Sequence, residues 1–176
     1  DTFARDLDSY PCADEFYISD EYVDYTEDIY VGYRYFETIP GAADKVVYPF
    51  GYGLSYTSFE TGKGKISRKS MKADGSVKVT VPVKNTGDRK GTETIQIYIK
   101  ALDYPEAPIK SLKGFRKLYL EAGETGKAEI VLDGEAFEYY DPSIDELSVR
   151  PGRYQILYGT SSSEKDLKTI DFVVKQ

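Results

Sequence analysis

The stretch SVKVTVPVKNTGD, residues 76–88, decides the fold. Val77, Val79, Val81 and Val83 fall on one side of an extended chain and Ser76, Lys78, Thr80 and Pro82 on the other. A helix would need its apolar positions three and four apart, so alternation at every second residue marks a half-buried strand with the valines inward. Pro82 has no N–H to give to a ladder, which predicts an edge strand or a bulge there.

Working outward, NTGDRKG (85–91) supplies turn chemistry, and TETIQIYIK (92–100) follows with Ile95, Ile97 and Ile99 inward. These two strands are predicted to pair directly. LKGFRKLYLEAGET (112–125) reads as a strand ending in a Gly-containing turn, and GKAEIVLDG (126–134) alternates Ala128, Ile130 and Leu132. RYQILYG (153–159) and LKTIDFVVK (167–175) close the set, with RPG and GTSSSEKD as connections. No segment after residue 64 has a helical period. The count is about seven strands, that of an immunoglobulin or fibronectin type III sandwich, so the predicted fold class is an all-β sandwich. Residues 64–176 are expected to fold autonomously, because their alternating strands supply two inward faces.

The texture changes near Phe59. Upstream, FYISDEYVDYTEDIYVGYRYFETIPGAADKVVYPFGYGLSY (16–56) holds most of the tyrosines, several acids and no long helical pattern. IYVGYRYF (29–36) is an apolar and aromatic run of strand length that calls for burial on both sides or against a foreign surface. In VVYPFGYGLSYTSFE (46–60), Tyr48, Phe50, Tyr52 and Tyr56 alternate with Gly51 and Gly53. Those rings either stack on a sugar or pack at a seam between two folded units, with the glycines allowing tight turning and close approach. Arg34, between Tyr33 and Tyr35, suits an anion or sugar hydroxyl on one reading and an interdomain ion pair or stacked guanidinium on the other. The Tyr48–Phe59 stretch is expected to lie along its own sandwich, and DIYVGYRYF to find cover between chains.

Composition prunes the chemistry. The chain has no histidine, so no Ser-His-Asp triad, Cys-His pair or zincin motif exists in it. Its one cysteine, Cys12, excludes an internal disulfide and a CxxC site. Nothing basic neighbours Cys12 in sequence, so it reads as a packed or idle thiol rather than a reactive one. A net charge of −7 argues against a nucleic-acid partner, since phosphate binding needs clustered Lys and Arg. No apolar run approaches the roughly 18 to 20 residues of a membrane-spanning helix, and no membrane partner is expected. Asn85, followed by Thr86 and Gly87, forms no glycosylation sequon. Asp20, Glu21, Asp24, Glu27 and Asp28 could face a hard cation, but they lack the glycine turn and spacing of a calcium loop and read as a solvated acidic loop. No cofactor or metal site is expected. DTFARDLDSY lacks a signal peptide's basic head and apolar stretch and reads as a chain entered partway. The compartment is left open.

Several of these stretches, in order, resemble the C-terminal region of glycoside hydrolase family 3, the β-glucosidase and β-xylosidase family. EDIYVGYRYFET and VVYPFGYGLSYTSFE look like the run that closes its second, α/β domain. VTVPVKNTGDRKGTETIQIYI, PIKSLKGFRKLYLEAGET, FEYYD and VRPGRYQILYGTSS resemble its fibronectin type III-like domain. The resemblance implies a boundary between an α/β remnant at 1–58 and a sandwich domain at 59–176. It also implies a parent enzyme that hydrolyses β-glycosides with retention, and upstream catalytic domains as partners. One departure is Asp28, where the family's run usually has glycine. The family's nucleophile lies in a Trp-containing motif and its sugar-binding motif contains histidine; this chain has neither residue. The acid/base motif is also absent, so the chain alone is not expected to be an enzyme. From the residues, a retaining glycosidase needs two carboxyls about 5 to 5.5 Å apart with one pKa raised, and mere abundance of Asp and Glu does not supply that. Two functions follow: a structural module that buttresses the α/β domain, or a carbohydrate-binding module near the catalytic domains. A free-standing enzyme is the third and weakest. Self-association through the N-terminal extension is a further expectation.

Overall fold

Two β-sheets close on the valine and isoleucine faces read from the sequence. The computed structural model describes residues 1–13, 18–141 and 143–176; Phe16 and Tyr17 of the aromatic run quoted above lie outside the described residues. Along the chain come β1 (Phe3–Ala4), helix α1 (Tyr33–Thr38), β2 (Val46–Tyr48), β3 (Phe59–Thr61), β4 (Lys65–Ile66), β5 (Ser70–Lys72), β6 (Val77–Asn85) and β7 (Gly91–Ala101). After these follow β8 (Ser111–Leu120), β9 (Thr125–Leu132), β10 (Glu138–Asp141), β11 (Glu146–Val149), β12 (Gly152–Gly159) and β13 (Leu167–Lys175).

The larger sheet has five strands in the order β5-β13-β12-β7-β8, antiparallel except for the β13–β5 pair. In the facing sheet β6 pairs with β9 on one side and with both β3 and β4 on the other. Val77, Val79, Val81 and Val83 are fully buried, as are Ile95 and Ile97 of β7, Ala128 and Leu132 of β9, and Ile156 of β12. Tyr154, Tyr158, Phe172 and Val174 complete this core from β12 and β13, and Phe137 plugs one end, its ring 5.3 Å from that of Tyr154. Removing these β-branched and aromatic faces from water is the main force joining the sheets, at about 1.5 to 3 kcal/mol per large side chain. The all-β sandwich expected from period-two patterning is the fold found.

Three local expectations need correction. First, β6 and β7 do not pair: they belong to opposite sheets, and residues 86–90 cross between them. Asn85 holds this crossing. It is fully buried, its Nδ2 donates to the Arg89 and Leu120 carbonyls at 2.8 and 3.1 Å, and its Oδ1 accepts from the Gly87 N–H at 3.1 Å and the Thr57 hydroxyl at 2.8 Å. That set uses both donors and both lone pairs of the amide. Second, of the two alternatives for Pro82 the edge fails, since it lies on a central strand, and the irregularity in the ladder holds. Its carbonyl accepts from the Gly62 N–H at 2.8 Å, where the chain leaves β3 before β4 begins, so its missing N–H falls in a gap of the ladder on that side. Third, IYVGYRYF is not a strand: from Tyr33 it winds into α1, which places Tyr33, Phe36 and Glu37 on one face at helical spacing.

Candidate functional site

The outer face of the five-stranded sheet is where the sandwich meets the N-terminal extension. On β7, Gln96 and Tyr98 alternate with the inward isoleucines and so point away from the core, yet both are buried. What covers them is α1 and the chain around Phe50. The Tyr33 ring stands edge-on to Tyr98 with centroids 5.7 Å apart and lies against Phe50 at 5.2 Å. The Phe50 carbonyl accepts from the Ser162 N–H at 2.8 Å, tying this segment to the loop after β12. Tyr98 donates its hydroxyl to Gln96 Oε1, and Gln96 Nε2 donates to the Thr160 carbonyl at 2.9 Å. Burial, with the nearby Tyr33 and Glu37 oxygens adding to it, raises the Tyr98 pKa far above that of a free tyrosine.

Gly51 is what lets the chain lie this close. It has φ +84°, and a Cβ there would stand 2.1 Å from Gln96 Nε2. Gly53 meets neither demand: its φ is ordinary and nothing lies within 4 Å of the Cβ position. The close approach anticipated for both glycines is therefore confined to Gly51.

Beyond this seam the surface is apolar and open. Tyr48 and Tyr52 stack at 4.8 Å and are half-exposed, and β2 carries Tyr48 through its pairing with Phe3 of β1. With Phe3, Leu54 and Phe115 they line a cleft of about 470 Å³ over Gln96. A second cleft of about 480 Å³, sharing Asp1 and Phe3 with the first, is lined by Leu7, Tyr10, Val23, Tyr30 and Phe36 among others. Phe36 itself is buried, with Tyr10 edge-on at 5.5 Å and Tyr35 at 5.2 Å. Leu54 and Tyr56 stand 90 % and 94 % exposed.

Of the residues singled out from the sequence, the structure brings Tyr33 and Phe50 together in the seam and Tyr48 and Tyr52 together at the cleft. Tyr35 packs on Phe36, and Tyr56 projects into solvent. Arg34 donates from Nη1 to the Ile29 carbonyl at 3.3 Å and stands near enough to Lys113 to help lower that amine's pKa, second to burial. The Tyr48–Phe59 stretch lies along its own sandwich as expected, through Phe50, Gly51 and β3, although the Tyr48, Tyr52 and Tyr56 rings stay exposed. The YRYF stretch, expected to find cover between chains, packs instead on its own sandwich and N-terminal residues. The reason is the helix: it brings Tyr33, Phe36 and Glu37 to one face, whereas in an extended strand Phe36 would point away from the other two.

The acidic loop holds no gathered site. Among the described residues no cluster of acids, Cys or His has metal-binding geometry, and Asp20, Glu21, Asp24 and Asp28 are exposed. Asp28 adopts φ +50°, a conformation that glycine takes freely. The Cys12 thiol is buried and donates to Glu27 Oε2.

Sequence reasoning missed two arrangements. Glu37 of α1 forms an ion pair with Lys110, which is 3 % exposed; a lysine just before a strand gives no sign of burial. Arg150 lies 3.3 Å over the Tyr139 ring and 4.8 Å from that of Tyr104, and pairs with Glu106 at 2.7 Å and Asp141 at 3.8 Å. It thereby joins the β7–β8 connection to the β10–β11 hairpin.

A family model described as a fibronectin type III-like domain matches residues 93–162. Over 139 residues, 78 % of this chain, the sequence is 46 % identical to a xylan 1,4-beta-xylosidase of Xylanibacter ruminicola, of which it covers 15 %. It is 38 % identical to beta-glucosidase A of Butyrivibrio fibrisolvens across 98 % of this chain and 22 % of that protein. The fold matches the crystal structure of a GH3 beta-glucosidase of Bifidobacterium adolescentis with a TM-score of 0.86 and 34 % identity, over 98 % of this chain and 25 % of that one. The chain thus spans a quarter or less of the length of each of these relatives.

Proposed function

This chain belongs to glycoside hydrolase family 3, as the C-terminal part that carries the fibronectin type III-like domain, and from that premise we propose that it is a non-catalytic buttress. Its parent hydrolyses β-glycosides through upstream domains, and residues 1–58 finish the last of those domains while residues 59–176 form the sandwich that supports it. The observation that carries this reading is the cleft over Gln96. Its walls are mainly aromatic and aliphatic, with Asp1, Thr94 and the Tyr48 and Tyr52 hydroxyls as the polar groups at the lining, and the Gln96 amide beneath is already engaged by Tyr98 and Thr160. A sugar site needs free donors and acceptors to fix hydroxyls; a protein interface needs apolar area and a few satisfied polar groups.

Exposed Ile18, Tyr22, Val23, Tyr25 and Val31 extend the apolar area on the N-terminal side. In the absence of the upstream domains we expect this area to drive self-association, which light scattering on the 176-residue chain across micromolar concentrations measures. A strictly monomeric chain would count against it. The parallel stack of Tyr48 and Tyr52 favours a second reading, a carbohydrate-binding face. Titration with soluble glucans and xylans separates the two: a buttress shows no change in tyrosine fluorescence, and a saturable change that is lost in Tyr52→Ala would establish the binding module instead.

A further inference from the structure

Helix α1 gives two side-chain oxygens to backbone amides of the sandwich. The Ile109 N–H donates to Thr38 Oγ1 at 3.1 Å, and the Leu112 N–H donates to the Tyr33 hydroxyl at 2.7 Å. Between these two residues lies Lys110, buried at 3 % exposure, whose ammonium meets Glu37 Oε2. Leu112 adjoins a bulge: the β7 partners pass from Gly114 to Leu112 between Ile97 and Tyr98, leaving Lys113 as the extra residue in β8. An ammonium in that position without a counter-charge is strongly unfavourable, and the same holds for a carboxylate facing it. Helix and sheet therefore need each other's charge as well as the Tyr33–Tyr98 ring contact.

We infer that the buried Glu37–Lys110 pair is an orientation lock that fastens α1 to the sandwich, so that residues 33–50 open and close on the sheet as one strap and move with the sandwich rather than with the chain before them. Tyr33, Glu37 and Thr38 occupy one end-to-end line along the β8 entrance, and the strap's far end is fastened by the Phe50 carbonyl to Ser162. The inference concerns this chain alone and stands whether or not the parent is a β-glycosidase.

The test is residue-resolved hydrogen exchange on the full 176-residue chain. In Glu37→Gln and Lys110→Met the Ile109 and Leu112 amides should exchange faster together, by roughly a hundredfold, the factor expected when one partner of a buried pair is removed. Amides of β12, such as Ile156 and Tyr158, should keep their protection. The apolar double change Glu37→Leu with Lys110→Met should return both reporter amides to within roughly tenfold of the parent chain, since replacing a whole buried pair is often neutral. Tyr33→Phe, which leaves the pair intact but removes the acceptor of the Leu112 N–H, should accelerate Leu112 well beyond Ile109. The inference is overturned if Glu37→Gln or Lys110→Met leaves both reporters protected or releases one without the other, if Tyr33→Phe accelerates Ile109 as much as those two changes do, or if core and reporter amides accelerate equally.

Discussion

Gly51 rests on the Gln96 side chain, so close that a methyl group at its Cβ position would stand 2.1 Å from Nε2 and 2.9 Å from Oε1. Gln96 cannot retreat, because its amide holds both the Thr160 carbonyl and the Tyr98 hydroxyl. Gly51→Ala should therefore destabilise the chain by about 2 to 4 kcal/mol, from the left-handed φ and the overpacking together. Gly53→Ala, with open space and an ordinary φ, should fall within about 0.5 kcal/mol of the parent chain. Urea unfolding of the two variants checks the contrast, and equal losses would mean the chain around Phe50 does not lie on β7 in solution.

Ile97 sits on β7, an interior strand between β12 and β8, and is fully buried in the core between the sheets. Ile97→Ala should cost about 2 to 5 kcal/mol, the usual range for emptying such a site. Val131→Ala, on the outward face of β9 at 63 % exposure, should cost under about 1 kcal/mol. Thermal unfolding gives both; a loss under 1 kcal/mol at Ile97 would put the strand phase in error.

Period-two patterning carried the inward phases of β6, β7 and β9, because a strand facing a core writes that burial into alternate residues, as Val77, Ile97 and Ile130 show; the burial of Gln96 and Tyr98 on the outer face of β7 it did not carry. It could not carry strand partnership. Whether NTGDRKG closes a hairpin or crosses between sheets depends on Asn85 reaching Leu120, a residue 35 positions away. The seam was legible as aromatic surface at Tyr33 and Phe50, but its lock was not. Lys110 and Glu37 have ordinary surface compositions, and their burial arises only when α1 is laid on β8. Helix formation at Tyr33 was hidden for a similar reason: six residues are too few for a periodic signal, and tertiary contact decides the conformation.

Asp28 holds φ +50° in an exposed turn, where an L side chain is strained. Asp tolerates this better than most residues, so the cost here is modest. Asp28→Gly should raise stability by at most about 1 kcal/mol, since the added freedom of the unfolded chain offsets part of the relief. Asp28→Val should lower it by about 1 to 2 kcal/mol. The order Gly, Asp, Val in denaturant midpoint is the expected result, and Val equal to Gly would show that the turn relaxes to another conformation.

Alkaline pH should unfold this chain through its buried tyrosines. Burial pushes the Tyr154 hydroxyl up to about 12 and raises Tyr98 further, against about 10 in the unfolded chain. A folded-state pKa raised above the unfolded value gives stability that is complete below pH 10 and is lost as pH rises beyond it, because the unfolded chain releases protons that the folded one keeps. Stability should thus fall steeply above about pH 10, and Tyr98→Phe should make that fall shallower. Urea midpoints from pH 8 to 11 measure the slope; an unchanged slope in Tyr98→Phe would show that its hydroxyl ionises freely in the folded state.

How much of the chain the sandwich needs can be read from what its outer face loses on truncation. A chain beginning at Gly64 lacks β3, which pairs through Phe59, Glu60 and Thr61 with Asn85, Lys84 and Val83. It also lacks Thr57, whose hydroxyl donates to Asn85, and the whole strap over Gln96, Tyr98 and Lys110. The valine and isoleucine core remains, so cooperative unfolding is still expected. Its midpoint should nevertheless lie well below that of a chain beginning at Asp28, which keeps β3 and the strap. The lost β3 pairing and the uncovered Tyr98 together cost several kcal/mol, about 1.5 to 3 for the exposed aromatic side chain alone, while Lys110, freed of α1, regains water. Differential scanning calorimetry on the two chains decides the matter. Equal midpoints would mean that the sandwich is complete from Gly64 and that the strap is held by it without supporting it.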